Sequence, residues 1–235
     1  MIPKIIHYCW FGGNKIPNSV KLCIKTWKKY CPDYEIRVWN ESCFDVNSHP
    51  FVKKAYACKA WAFVSDYVRL QVVYENGGIY LDTDVELIKS LDDLLHNKCY
   101  FGLQQDKNLC NTGIGFDAEK GSPIVKKMMD EYENVEFNPN DMLSVACPTL
   151  NTNALLKNGY EPTSGIFSND EFTVYPTCYF DPYSTQDKTN LLCENTYSIH
   201  HYNASWCSGL QRMKRKIVFA FGEESIIKVR RKLSL

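Results

Sequence analysis

A chain of 235 residues has room for one sizeable core. Its 27 basic residues equal its 27 acidic ones, a balance that speaks against wholesale nucleic-acid binding. No apolar run approaches the roughly 20 residues of a membrane span, and the opening Met-Ile-Pro-Lys-Ile-Ile-His is no apolar leader. The 11 cysteines include no C-x-x-C pair, so they read as reduced thiols, many of them small core hydrophobes, in a cytoplasmic protein. The 15 tyrosines and 5 tryptophans suit planar or sugar ligands and suit an aromatic core equally.

Taken in chain order, Pro3 to Trp10 reads as a buried strand broken by Gly12-Gly13. Residues 18–30 read as a helix with Val20, Ile24 and Trp27 on one face, and Tyr34 to Trp39 as a second strand. That order predicts an α/β unit with a parallel pair. Residues 50–75 read as mainly helical, closed by Asn76-Gly77-Gly78, which suits left-handed backbone angles. Ile79-Tyr80-Leu81 is a short apolar strand that runs directly into Asp82-Thr83-Asp84. Further strands are expected over Cys99–Leu103, Thr112–Phe116 and 172–175, and helices from Ser122-Pro123 to about Tyr132 and near 148–157. The rest of 134–196 is rich in Pro, Asn, Asp and Thr and reads as loops.

Four constellations carry chemistry. Asp82 and Asp84, two positions apart where a strand gives way to a loop, can converge on one hard cation. A divalent ion held there could neutralise a departing diphosphate. An acidic surface triplet is the plain alternative, but the abrupt step from Gly-Gly and three apolar residues to carboxylates argues against it. Ser65-Asp66-Tyr67-Val68-Arg69 puts Asp66 and Arg69 on one helix face, either as an ordinary ion pair or as a cluster for sugar hydroxyls and phosphate. Trp10-Phe11-Gly12-Gly13 lies at the carboxyl end of the first strand. There an aromatic can stack on a base and glycine lets backbone approach a ligand, or the tryptophan is simply core. His200-His201-Tyr202-Asn203-Ala204-Ser205-Trp206 offers imidazoles that could complete a metal shell, and Asn203, Ser205 and Trp206 that could meet phosphates or sugar.

Ser65-Asp66-x-x-Arg69 followed by Gly77-Gly78-Ile79-Tyr80-Leu81-Asp82-x-Asp84 resembles the glycosyltransferase sugar-binding region containing DXD motif, of glycosyltransferase family 32. That family includes fungal mannosyltransferases and bacterial capsular polysaccharide enzymes, and its signature is similar to that of the large clostridial glucosylating toxins. Ile2 to His7, Trp10-x-Gly12-Gly13 and the closing His-His…Ser-Trp also match it in order. The likeness covers 2–90 well, 197–206 moderately and 105–196 only loosely. It implies a GT-A fold, a Rossmann-like α/β domain with a central mixed sheet, and a retaining transfer from a nucleotide-sugar with Mn²⁺ or Mg²⁺. It implies that Trp10 stacks on the base, with Gly12 and Ser65 beside the donor, and that Asp66 and Arg69 contact the donor sugar. Tyr80 would lie near the ribose or base. Asp82 would touch ribose or sugar and assist the metal, and Asp84 would be the principal protein ligand. His201, with His200 as second choice, would take the last metal position. Ser205 and Trp206 would close over the diphosphate, and Asn111 would line the acceptor side. Asp82, Asp84, Arg69 and Asp66 are thus the expected catalytic set.

The expected reaction moves a hexose, from UDP-hexose by preference or GDP-mannose, to a saccharide or lipid-linked oligosaccharide acceptor in surface or capsular polysaccharide synthesis. A nucleotidyltransferase would share the paired carboxylates, but Gly12-Gly13-Asn14-Lys15 is too short for its phosphate loop. A non-catalytic carbohydrate-binding or adaptor module with a calcium site would not need Trp10 and the Asp66/Arg69 pair together. The expected organisation is a catalytic domain over 1–210 and a basic amphipathic helical tail over 211–235. That tail carries eight Lys and Arg against two Glu. It reads equally as a peripheral contact with an inner membrane face and as helices packed on the domain.

Overall fold

The structure, a computed structural model, describes residues 1–105, 108–142, 144–183 and 189–202. Strand β1 (Ile5–Cys9), helix α1 (Asn18–Tyr30) and strand β2 (Glu35–Trp39) form the expected unit, with β1 and β2 parallel and Ile6 opposite Ile36. Lys28 and Lys29 in the last turn of α1 complement the negative end of its dipole. The helical run expected over 50–75 is two helices, α2 (Pro50–Ala57) and α3 (Trp61–Asn76). His49 Nδ1 caps α2 by accepting the Phe51 N–H at 3.2 Å, and Pro50 opens it. Between the two helices Lys59 takes a positive φ of 56°, which ends the first helical path.

Strand β3 (Gly78–Tyr80) lies parallel to β1 with His7 opposite Tyr80. Gly78 makes this approach feasible. Its φ is +104°, and a Cβ there would sit 2.8 Å from the Ile5 carbonyl oxygen and 2.9 Å from His7 Nε2. His7 is fully buried and locked at both nitrogens: Nε2 donates to the Gly77 carbonyl at 2.8 Å and Nδ1 accepts from Trp39 Nε1 at 3.0 Å. Burial lowers its pKa to about 4.

The main sheet continues through β6 (Phe116–Ala118), β5 (Cys99–Gly102), β8 (Thr173–Tyr175) and β7 (Phe167–Ser168), in the order β2-β1-β3-β6-β5-β8-β7. β6 runs antiparallel to both neighbours, β8 parallel to β5, and β7 antiparallel to β8, so the sheet is mixed. Successive residues feed opposite cores, as in a sheet covered on both faces. Tyr80, Cys99 and Phe101 pack with α2, α3, α4 (Pro123–Asp130) and α5 (Cys147–Lys157). Ile79, Leu81 and Tyr100 pack on the other side with Trp27.

A second, two-stranded sheet pairs β4 (Val85–Leu87) antiparallel with β9 (Ser198–His200), placing Val85 opposite His200. Trp27 Nε1 donates to the Val85 carbonyl at 2.8 Å and Thr26 Oγ1 accepts the Leu87 N–H at 2.9 Å, so α1 clamps β4. The strand expected over Thr112–Phe116 begins only at Phe116, because 111–113 turns back on itself through a 2.8 Å bond from the Gly113 N–H to Asn111 Oδ1. The described cysteines are free, and Cys9, Cys23, Cys31, Cys99, Cys110 and Cys147 are buried. No helix among the described residues is long and apolar enough to cross a membrane. The tail 211–235, its boundary at 210, and Asn203, Ser205 and Trp206 lie outside the described residues.

Candidate active site

β1 and β3 are parallel neighbours, so both leave the sheet at the same edge. Trp10 and Asp82 therefore emerge side by side at the carboxyl ends, where open α/β sheets bind ligands.

Behind Asp82 lies a buried polar cluster. Arg69, on α3, is 3% exposed and its NH2 nitrogen lies 3.1 Å from both Asp66 Oδ1 and Asp82 Oδ1. The Tyr80 hydroxyl donates to the same Asp82 oxygen at 3.1 Å, and the guanidinium lies over the Tyr80 ring, 4.9 Å from its centre. The Cys147 N–H at the start of α5 donates to Asp66. Burial lifts the Asp66 carboxyl to about 6, Arg69 pulls against that rise, and Asp82 adds to it. Burial likewise raises Asp82, against Arg69 and with the neighbouring Asp84. A Cβ on Gly113 would collide with the Asp82 carboxylate, and the Gly113 carbonyl accepts the Asp82 N–H at 2.8 Å. Glycine at 113 thus lets the 111–113 turn fix the aspartate.

Asp82, Asp84 and His200 each offer a ligand atom within 4.8 Å of the others. The β4–β9 ladder makes this meeting: it sets His200 opposite Val85, and His200 Nε2 lies 3.1 Å from Asp84 Oδ1. Burial opposes protonation of His200, but the Asp84, Asp82 and Asp181 carboxylates outweigh it and raise its pKa. His200, the second choice from sequence, is the histidine that stands beside the two aspartates. His201, the first choice from sequence, turns away to Glu86 Oε2 at 2.8 Å, because adjacent residues of an extended chain point to opposite sides. Three carboxylates and one guanidinium leave two formal negative charges around the cluster. Oxygen donors with one imidazole fit a divalent cation, and such an ion would relieve the repulsion between Asp82 and Asp84.

The other expected residues are placed as follows. Trp10 is half-buried, and its Nε1 donates to the Asn14 carbonyl at 2.7 Å, which holds the indole at the edge. The Gly12 N–H donates to Glu41 Oε1 at 2.6 Å. Ser65 Oγ donates to the Trp61 carbonyl at 3.0 Å, within its own helix. Asn111 spends its amide on the Gly113 N–H and on Gln104 Oε1 at 2.9 Å, so it shapes the turn that supports Asp82. Sequence reasoning passed over Gly113, Cys147 and Trp61. The Trp61 ring comes so close to Gly12 that a Cβ there would lie 2.7 Å from it. A tryptophan opening a helix just before Ser65-Asp66 was the available signal for the last.

The mixed seven-stranded sheet with its helices is the fold of the GT-A glycosyltransferases. The PaToxG glycosyltransferase superposes with a TM-score of 0.55 over 67% of this chain and 70% of that one, at 23% identity. Residues 17–101 match the model of the glycosyltransferase sugar-binding region containing DXD motif. The matched stretch contains Asp66, Arg69, Asp82 and Asp84; Trp10 and His200 lie outside it. Inositol phosphoceramide mannosyltransferase 3 of Schizosaccharomyces pombe is 31% identical over 141 residues, 58% of this chain and 39% of the yeast protein. An uncharacterized glycosyltransferase of Acanthamoeba polyphaga mimivirus is 24% identical over 224 residues, 91% of this chain and 87% of the viral one. The chain therefore spans well under half the length of the yeast relative.

Proposed function

We propose that this chain is a retaining, metal-dependent hexosyltransferase. It takes its sugar from UDP-hexose, or alternatively GDP-mannose, and passes it to a saccharide acceptor in surface or capsular polysaccharide synthesis. The observation that carries the reading is the meeting of Asp82, Asp84 and His200 beside the buried Asp66–Arg69–Asp82 cluster. Asp84 and His200 are the principal metal ligands and Asp82 the third. An imidazole in the set favours Mn²⁺ over Mg²⁺, which prefers oxygen alone. When bound, the cation supplies positive charge where negative charge gathers on the departing diphosphate.

The chain's own groups do the rest. Arg69 and Tyr80 fix Asp82 from behind, so the carboxylate meets its ligand without reorganising. Asp66 orients Arg69 and faces the donor sugar. Trp10 offers its ring face to the base. The mannosyltransferase relative supports GDP-mannose as the alternative donor, and the lipid in its name supports a lipid-linked acceptor as the alternative to a soluble saccharide.

A donor panel read by nucleoside diphosphate release, with Mn²⁺ and with chelator, tests the reading. Release from one base class, abolished by chelator and by Asp84→Ala, is expected. Release indifferent to both would end the proposal.

A further inference from the structure

Asp181 is absent from the sequence reading and from the roles above. It is 1% exposed, and only one of its oxygens is used: Oδ2 accepts the Gln105 N–H at 2.9 Å and the Tyr202 hydroxyl at 2.6 Å. Oδ1 is buried with no hydrogen-bond partner. His200 has the matching deficiency, since its Nδ1 is also buried and unpartnered while Nε2 faces Asp84. A native structure rarely leaves such atoms orphaned, because each gives up its hydration without a replacement bond.

The two side chains belong to segments that are tied together at three successive levels. The Tyr197 N–H donates to the Tyr179 carbonyl at 2.8 Å, Ser198 Oγ to the Phe180 carbonyl at 3.4 Å, and Tyr202 to Asp181. The Tyr202 ring packs on the His200 ring with centres 4.0 Å apart. Tyr202 does so at a φ of +48°, costly for a bulky residue and sustained only where surroundings over-determine it. Asp181 and His200 are close enough to act on each other electrostatically.

We infer that Asp181 is the positioning residue of the histidine ligand, its Oδ1 accepting the His200 Nδ1–H when Nε2 holds the cation. The inference rests on the metal-site reading above. A histidine that ligates through Nε2 carries its proton on Nδ1, and that proton needs an acceptor which fixes the tautomer and the ring plane. Asp181 is a buried acceptor with an unused oxygen on the segment strapped to β9. Tyr202, bonded to the other oxygen and packed on the imidazole, holds the two in register.

Mn²⁺ binding measured by the EPR signal of the free ion, with no donor present, tests this on the whole chain. Asp181→Asn is expected to bind Mn²⁺ about 10–100-fold more weakly, with the melting temperature of the metal-free protein near that of wild type. His200→Ala is the control. If His200→Ala weakens binding and Asp181→Asn does not, the inference falls and the metal site stands. If wild type and His200→Ala bind alike, the metal-site reading itself falls and takes the inference with it. A lowered melting temperature with unchanged Mn²⁺ affinity of the folded protein would reduce Asp181 to a structural role and overturn the inference. Should the Asp181 variants fail to fold, ¹⁵N-histidine NMR of wild type with Mg²⁺ decides. A slowly exchanging His200 Nδ1–H supports the inference, and a solvent-exchanging one overturns it.

Discussion

The stretch through Gly102 and the stretch from Phe167 to Tyr202 contribute to the site in different ways. In the first, the site residues are brought together by local structure: Asp66 and Arg69 share a helix face, and Tyr80, Asp82 and Asp84 follow within a few positions on one strand and its exit. In the second, His200 and Asp181 reach the site only through pairing between segments far apart in the chain. His200 meets Asp84 across 116 positions by means of a three-residue ladder. Local geometry sets the carboxylates; remote pairing brings His200 beside them.

Four experiments would break or sharpen that contrast. The largest effect is expected from Asp84→Ala, which removes the carboxylate that meets His200. Loss of about 10²–10³-fold in kcat, read by diphosphate release, matches removal of a principal electrostatic element; near-normal turnover would sink the site. Next comes acid stability of the first region. The unfolded chain protonates His7 near 6.5 and the fold resists until about 4. The unfolded state therefore binds more protons between those values, and stability present above pH 6.5 is lost as pH falls towards 4. The loss amounts to about 3 kcal/mol, at ~1.4 kcal/mol per pH unit. Denaturant titrations at pH 7 and pH 4 of wild type and His7→Gln measure it, and the variant should show a flatter profile.

Gly113→Ala should cost about 1–3 kcal/mol as an overpacked contact. It should also weaken metal activation, because the added carbon drives into Asp82. Stability unchanged by calorimetry would mean that the turn simply moves aside. His201→Ala should be the mildest, changing Mn²⁺ affinity by no more than about twofold, since its exposed bond to Glu86 is worth only about 0–1 kcal/mol. An effect of His201→Ala equal to that of His200→Ala would restore the sequence-based preference and undermine the ladder argument.

The same contrast explains what was legible in the sequence. The β1–α1–β2 unit and the DxD strand announce themselves by apolar runs ending in glycine or charge, and the structure has them within a residue or two. Between α2 and α3, no Gly or Pro marks the break, which rests on a left-handed Lys59. β4, β7 and β9 escaped because two or three residues carry no periodicity, and only pairing makes them strands. Choosing between His200 and His201 requires the register with Val85, a tertiary fact that composition does not encode. Asp181 was invisible for a similar reason: a single aspartate in a loop-like stretch gains meaning only from Tyr202 and β9.

The clamp of Trp27 and Thr26 on β4 has a consequence for the site. It docks one half of the ladder on α1, while the other half, Ser198–His200, is held by its pairing with β4 and by the ties to Tyr179, Phe180 and Asp181. Whatever grips Asp84 and His200 together must, by linkage, also hold that segment down. A cation held there and the ladder that brings its ligands together would then protect one another.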